Sequence, residues 1–211
     1  MELPGEFVKA LDDLAPYLCF KPYEDGVLAY GATYSGSFRA FYRARGAFPV
    51  CLFVSYIADF ASDVVKFERF KGKDVIVKMG NMEVLLPGNV KEEEVEFMEV
   101  KCLGWGEVST AALKAAANAA VELIPFVNIK SIGDKFSVGV AMRQDAILAM
   151  GVKSGEGDVD MIFPSAALYN VAKAFHRLYD RVKVCWSEKA IKFEGRDGDS
   201  WLEVELLPFP V

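Results

Sequence analysis

The sequence has 211 residues, with 24 basic against 30 acidic side chains and a formal charge of -6 at neutral pH. Hydrophobic residues make up 53% of it and aromatic residues 13%, which supplies a packed core and excludes intrinsic disorder. A chain of this length forms one large domain or two small ones. No apolar run reaches the roughly 18 residues that cross a bilayer, and the first residues lack the features of a signal peptide. We therefore expect a soluble, cytoplasmic protein that does not bind membranes.

The first half of the sequence contains two predicted helices separated by strands. Phe7, Leu11 and Leu14 recur at helical spacing, and Pro16 ends this first helix. Apolar runs bounded by turn residues predict the strands. The elements that follow the first helix are strands over 26–30, 37–43 and 48–54, a helix from Ser55 to about Lys66, and strands over 74–79 and 82–86.

The second half begins with an alanine-rich helix. This helix is predicted over residues 108–123, with Ser109 as its N-cap and Pro125 just past its end. Further along, Pro164 leads into another helix, over residues 165–179. Strands are predicted over 135–142, 146–152 and 159–163 before that helix, and over 181–186, 190–193 and 201–206 after it.

The order helix, strands, helix, strands thus occurs twice, and we interpret it as an approximate internal duplication. This predicts an α+β fold class with two similar domains, residues 1–90 and 105–211, each with two short helices packed on antiparallel sheets. A connector is predicted at residues 91–104, where an acidic run and turn residues occur. A single mixed α+β domain with a long acidic loop is the alternative.

The sequence offers few residues that could perform catalysis. His176 is the only histidine, so a metal site with several histidines is impossible, and a Ser-His-Asp arrangement would depend on this residue alone. Neither phosphate-binding pattern, GxxxxGKS/T or GxGxxG, occurs. The acidic run at 91–99 is typical of a solvated linker rather than of a catalytic carboxylate pair. We expect no enzymatic activity, no cofactor and no metal site.

The cysteines are the remaining candidates for special chemistry. Cys19, Cys51, Cys102 and Cys185 are far apart in the sequence and form no CxxC pair, which a zinc site or a redox motif would need. Cysteines of cytoplasmic proteins are usually reduced. The prediction is therefore four free thiols.

Short strings in the last third of the sequence resemble the closing segment of the DNA sliding clamps. They are IFPSAAL at 162–168, VKVCWSEKAIKFEG at 182–195 and LEVELLP at 202–208. The first half shows a similar pattern, with a strand and helix over 50–66, a hairpin through Gly80, and Leu-Leu-Pro before the connector. In length and two-part layout the chain is similar to the clamps of T-even-type bacteriophages and to proliferating cell nuclear antigen.

This resemblance implies a homotrimeric ring of six similar domains, with helices lining the hole and sheets forming the outer wall. Such a ring encircles double-stranded DNA, independently of sequence, and tethers the replicative DNA polymerase as a processivity factor. It has no catalytic activity of its own, and a clamp loader places it on DNA. Similarity to phage clamps further implies a viral protein that acts in the host cell.

DNA binding requires that positive charge be confined to the hole, because the chain as a whole is acidic and phosphate contacts need Lys and Arg. On the helix at 165–179 and on the alanine-rich helix, basic and amide side chains recur on the face opposite the apolar stripe. The first half departs from a basic lining because its helices also carry Asp12, Asp13, Asp59 and Asp63. The residues expected to contact DNA are Lys9, Lys66, Lys114, Asn118, Asn170, Lys173 and Arg177.

The resemblance also implies an apolar partner groove between the connector and the C-terminus. Its expected lining consists of Val95, Phe97 and Met98 in the connector and of Leu207, Pro208, Phe209 and Pro210 at the end of the chain. Apolar side chains in an acidic run and in a tail are unusual for solvated segments, although they could equally belong to the core. The groove would accept short apolar-aromatic motifs of the polymerase and the clamp loader.

Two other functions stay open at the level of the sequence. A monomeric clamp-fold polymerase accessory protein could bind DNA on a basic face without encircling it, which would suit the weak basic lining of the first half. An enzyme or a small-ligand-binding α+β protein would need a polar pocket, and the sequence does not locate one.

Overall fold

The protein is described by a computed structural model that covers residues 1–89, 100–140 and 143–210. Within these residues the chain forms sixteen strands and four helices, which is an α+β fold. The first half contains β1 (Glu2–Pro4), α1 (Gly5–Leu14), β2 (Tyr17–Tyr23), β3 (Gly26–Thr33), β4 (Gly36–Tyr42), β5 (Val50–Phe53), α2 (Ser55–Ala58), β6 (Val64–Arg69), β7 (Val75–Met79) and β8 (Met82–Leu86). The second half contains β9 (Gly104–Ser109), α3 (Thr110–Leu123), β10 (Phe126–Ile132), β11 (Lys135–Val140), β12 (Arg143–Ser154), β13 (Asp160–Pro164), α4 (Ser165–Leu178), β14 (Arg181–Trp186), β15 (Ile191–Arg196) and β16 (Ser200–Leu206).

The two halves repeat the same order of elements. Each half runs strand, helix, four strands, helix, three strands. The strand order of the sheets repeats as well: β1-β6-β7-β8 corresponds to β9-β14-β15-β16, and β5-β2-β3-β4 corresponds to β13-β10-β11-β12. The internal duplication predicted from the sequence is therefore confirmed.

A continuous antiparallel sheet joins the halves. β16 of the second half pairs with β4 of the first half along their whole length, from Ser200 opposite Tyr42 to Leu206 opposite Gly36. Gly36 is required at this junction, because a Cβ atom there would lie 1.8 Å from the carbonyl oxygen of Glu205. The halves are consequently held by backbone hydrogen bonds as well as by side chains.

The helices pack on the apolar face of the sheets. α4 contacts both α1 and α3, so these three helices form one layer that extends over both halves. Phe7, Leu11 and Phe175 point from the layer into the core and are fully buried. α1 begins at Gly5, where a Cβ atom would lie 1.6 Å from the carbonyl oxygen of Ser62, so only glycine allows α1 to approach this close. None of the helices in the described ranges is long and apolar enough to span a membrane.

The predicted second helix is wrong in its extent. α2 covers only Ser55–Ala58, and Val64 already begins β6. Buried and exposed residues alternate at the start of β6, and the strand pairs with β1 on one side and β7 on the other. Lys66, which the sequence placed at the end of a helix, lies on β6 instead, opposite Glu2. β1, β2, β9 and β10 were not predicted at all.

The prediction of four free thiols is also wrong. Cys19 and Cys51 face each other across β2 and β5 and form a disulfide, with their Cα atoms 3.9 Å apart. Cys102 forms a second disulfide with Cys185 on β14. Sequence separations of 32 and 83 residues concealed both pairs, because only the strand pairing brings the partners together.

Candidate nucleic-acid interface and partner groove

The helix layer brings together six of the seven residues predicted to contact DNA. Lys9 lies on α1, Lys114 and Asn118 on α3, and Asn170, Lys173 and Arg177 on α4, all of them exposed or half-buried. Lys66 is the exception. It lies on β6, where its Nζ atom is 3.0 Å from Glu68 and 3.9 Å from Glu2.

Two of the α4 cations are engaged by an acid of α1. The Arg177 Nε atom donates to the Asp13 carboxylate at 2.6 Å, and the Lys173 Nζ atom lies 2.7 Å from the other oxygen of the same group. The Asp13 side chain is only 5% exposed, so this carboxylate is enclosed between α1 and α4. The charges that were expected to face DNA phosphates therefore neutralise a protein carboxylate between the two halves.

Glu6 extends this network by about two turns along α1. Its carboxylate accepts a hydrogen bond from Lys9 Nζ at 2.9 Å and another from Arg177 Nη1 at 3.1 Å. The hydrogen bond from Lys9, together with that from Arg177, lowers the pKa of Glu6. Glu6 is thus ionised at neutral pH and binds two of the predicted DNA-contacting cations.

Asp12 lies beside this network without an ion-pair partner among the described residues. Partial burial raises the pKa of Asp12, and the negative charges of Asp13 and Asp59 raise it further. A carboxylate in this position reduces the positive potential of the α1 end of the helix layer.

The helix layer as a whole carries no excess of positive charge. Its cations are Lys9, Lys114, Lys173 and Arg177, and its acids, including the residue that caps α2, are Glu6, Asp12, Asp13, Asp59 and Glu122. Lys114 is the one cation of this group with no ionic partner in the described part of the chain. Lys114 and Asn118, four residues apart on α3, are consequently the best placed of the predicted residues to contact a phosphate.

The single histidine does not assemble a nucleophile. His176 Nδ1 lies 3.5 Å from the Thr110 hydroxyl, but that hydroxyl donates to the carbonyl oxygen of Tyr179 at 2.6 Å. Thr110 therefore connects the start of α3 to the end of α4, which is a structural role.

The C-terminal tail forms an exposed apolar surface across the two halves. The Leu207 amide donates to the carbonyl of Ser35 in the β3–β4 turn, and the Phe209 amide donates to the carbonyl of Ile162 on β13, both at 2.8 Å. The Phe209 ring packs on Phe126 with 4.7 Å between ring centroids. Leu207 and Phe209 still expose 44% and 47% of their surface.

The other predicted groove residues divide into two groups. Pro208 is half-buried and Pro210 is exposed, so the tail presents four apolar residues in a row. Val95, Phe97 and Met98 lie outside the described residues.

Sequence reasoning missed Tyr34, which is 78% exposed in the turn next to Ser35. An aromatic residue at the tip of a predicted hairpin was the signal that could have identified it.

Comparison with solved structures identifies the fold. Proliferating cellular nuclear antigen from Entamoeba histolytica matches with a TM-score of 0.78 at 14% identity, over 98% of this chain and 94% of that chain. A chain of the PCNA2-PCNA3 complex from Sulfolobus tokodaii matches with a TM-score of 0.78 at 13% identity, over 98% of this chain and 98% of that chain. No protein-family model and no curated protein matches the sequence. The chain therefore has the sliding-clamp fold over nearly its whole length, which confirms the resemblance for the fold.

Proposed function

We propose that the protein is a DNA sliding clamp, in which three copies form a closed ring of six domains around duplex DNA and tether the replicative DNA polymerase. The observation that carries this proposal is the twofold repeat of the clamp fold in one chain, with solved clamps matching 98% of it. The role is that of a processivity factor, without catalysis and without a cofactor or metal. A viral origin stays a prediction from the resemblance to phage clamps.

The internal repeat supports a specific way to close the ring. Within the chain, β16 pairs with β4. The corresponding strands of the other halves are β8 and β12, so β8 of one copy would pair with β12 of the next. This contact reproduces the intramolecular junction between copies. It covers the open edge of β8 and the part of β12 before Val152, since β9 pairs with β12 at Val152–Ser154 in the described structure.

Exposed apolar residues on β8 agree with this contact. Val75 opposite Leu86 corresponds to Ile191 opposite Leu206, which aligns β8 with β16 residue by residue. Leu85 is 54% exposed, whereas the matching residue of β16, Glu205, is only 3% exposed and lies opposite Ser37 of β4. An exposed leucine on a strand edge favours pairing with another copy.

The helices support the same contact. α4 packs on α1 inside the chain, so by the repeat α2 of one copy would pack on α3 of the next. Tyr56 on α2 and Phe60 just after it are 61% and 58% exposed. Counted from the first residue of each helix, Ala112 and Ala115 of α3 correspond to Phe7 and Ala10 of α1. The two α3 residues are exposed, whereas Phe7 and Ala10 are buried. Small side chains there leave room for two aromatic rings.

The partly neutralised cations of the helix layer suit a protein that must slide. Lys9, Lys173 and Arg177 divide their charge between a DNA phosphate and a protein carboxylate, so each contact would be weak. We include Lys66, Lys114, Asn118 and Asn170 in the proposed DNA-binding set, with Lys114 as its strongest member. Contacts of this kind read no sequence and weaken with salt.

Partners are proposed to bind at the C-terminal tail. The exposed side chains of Leu207 and Phe209 form an apolar surface beside Tyr34, and Pro208 and Pro210 hold the tail extended. With Val95, Phe97 and Met98 of the connector, they make up the proposed groove for the polymerase and the clamp loader. Apolar and aromatic anchors from the partner would supply most of the binding free energy.

Retention on circular DNA tests the proposal. The protein is incubated with a nicked circular duplex, separated from unbound protein by gel filtration, and the duplex is then cut once with a restriction enzyme. A ring stays on the circle and is lost from the cut DNA, because only its topology holds it. Equal retention on both forms would instead indicate the monomeric accessory protein that binds DNA on one face.

A further inference from the structure

The Cys102–Cys185 disulfide fixes the segment that enters the second half. Cys185 is fully buried on β14, whereas Cys102 is an exposed residue two positions before β9. The neighbouring Leu103 amide donates to the carbonyl of Trp186 at 2.8 Å. One covalent bond and one backbone hydrogen bond therefore hold residues 102 and 103 against the end of β14.

The Cys19–Cys51 disulfide has a different environment. Both of its cysteines are only 2% exposed, and they are directly opposed in the β2–β5 ladder. Tyr17 and Leu28 take part in the surrounding apolar cluster. An attacking thiolate needs access to one sulfur of the bond, so this disulfide is protected while the protein is folded.

We propose that Cys102–Cys185 is a redox-modification site whose reactive partner is a dithiol, and that its reduction releases residues 100–102 from β14. The exposed cysteine of the pair is the point of attack, since its partner is fully buried. The proposal concerns one subunit and does not require a ring.

The reaction balances as a thiol–disulfide exchange. A thiolate of the dithiol attacks Sγ of Cys102 and forms a mixed disulfide, and Cys185 leaves as a thiolate that takes up a proton. The second thiol of the dithiol, deprotonated, attacks its own sulfur in the mixed disulfide and expels the thiolate of Cys102, which is also protonated. The protein disulfide gains two electrons, and the dithiol is oxidised to a disulfide.

The released segment forms part of one wall of a surface pocket. Val100, Lys101 and Leu103 line one side of a cavity of about 310 Å³, and the turn at residues 187–190 lines the other. After reduction, Leu103 keeps its hydrogen bonds to Trp186 and from Gly157, but the covalent link next to it is gone. We expect Lys101 to become a better trypsin site, because a protease must bind its substrate in an extended, detached form.

The test compares the two disulfides in one folded molecule. The full chain, purified in air, is titrated with dithiothreitol, the thiols are alkylated with iodoacetamide, and the labelled cysteines are located by peptide mass. Cys102 and Cys185 are expected to be labelled first, with Cys19 and Cys51 labelled only when denaturant is added. Simultaneous opening of both disulfides, resistance of Cys102–Cys185 until unfolding, or four free thiols in the starting protein would each overturn the proposal.

Trypsin cleavage after Lys101 tests the conformational part. Dithiothreitol is expected to speed cleavage of the native protein several-fold, and Cys102→Ser is expected to cleave at the fast rate with or without it. Cys102 is exposed, so this substitution removes the bond without opening a cavity, and circular dichroism checks the fold. An unchanged cleavage rate in the folded Cys102→Ser variant would contradict release of the segment.

Discussion

Asp13 of α1 accepts a hydrogen bond from Arg177 of α4 at 2.6 Å, across 164 residues of sequence. The same carboxylate is bonded to Lys173 at 2.7 Å. Asp13 therefore stabilises the junction of the two halves, and in the proposed interface it would compete with DNA for the two cations. The first prediction follows from this double role.

Replacing Asp13 by Asn is expected to increase DNA affinity and to decrease stability. Arg177 and Lys173 become available to phosphates, so the slope of log affinity against log salt should steepen by about one for each new contact. Loss of the charged acceptor should cost about 1–3 kcal/mol of unfolding free energy. Asp134→Asn, in the exposed β10–β11 turn, makes the same charge change away from the helices. Equal effects of both variants on DNA binding would contradict the role of Asp13.

Replacing Asp12 by Asn is expected to stabilise the protein at neutral pH. The folded state holds the proton of Asp12 more tightly than the unfolded state, because its pKa is raised by burial and by neighbouring acids. Ionised Asp12 therefore costs stability above its folded pKa, and this cost disappears as the pH falls below 3.8, the ordinary pKa of an aspartate. Asp12 is only partly buried, so solvent screens its charge and we expect a gain below about 1 kcal/mol.

Melting temperatures at pH 7 and pH 3 check this sign. The melting temperature of Asp12→Asn should be higher than that of the parent protein at pH 7 and equal to it at pH 3. Glu6 behaves in the opposite way, since its lowered pKa adds stability that is lost as the pH falls. A Glu6→Gln variant should therefore be destabilised at pH 7 only. If the difference in melting temperature between Asp12→Asn and the parent protein grew toward pH 3, the raised pKa of Asp12 would be refuted.

Replacing Leu85 by Lys is expected to separate the copies of the proposed ring. The ammonium group would be buried at the β8–β12 contact without a defined partner, which costs several kcal/mol. Leu103→Lys is the matched control, since Leu103 is exposed to a similar degree and lies outside the proposed contact. Sedimentation velocity should show a smaller particle for Leu85→Lys alone.

Replacing Phe209 by Ala is expected to weaken polymerase binding without changing assembly. The ring contact with Phe126 contributes about 0.5–1.5 kcal/mol to stability, so the variant should fold. Processivity in primer extension should fall, while Phe70→Ala, an exposed aromatic residue in the β6–β7 turn, should have no effect. Undiminished processivity of Phe209→Ala would contradict the assignment of the C-terminal tail to the partner groove.

Sequence patterns identified the elements whose signal is local. α1, α3 and α4 show apolar residues at helical spacing, and the β7–β8 hairpin has a turn at Gly80, which adopts a positive φ of 56°. The region after Ser55 misled the prediction, since its apolar residues also fit a helix. Pairing of β6 with β1 and β7 decides the outcome there, and single-sequence periodicity does not contain that pairing.

The helix face that carries the candidate residues was predictable from the sequence, but the ion pairs on that face were not. Lys173 and Arg177 are on the helix face where periodicity placed them. The ion pair with Asp13 depends on how α1 packs against α4, and the disulfides depend on which strands are neighbours. Contacts between residues so distant in sequence depend on the tertiary fold, so no local sequence pattern predicts them.

Solution mass by light scattering after size exclusion, at several protein concentrations, tests the central claim most directly. Three copies of 23.3 kDa give about 70 kDa, which six-domain closure requires. We predict this mass over the concentration range in which the ring is assembled. A mass of 23.3 kDa at every concentration would contradict the self-assembling ring.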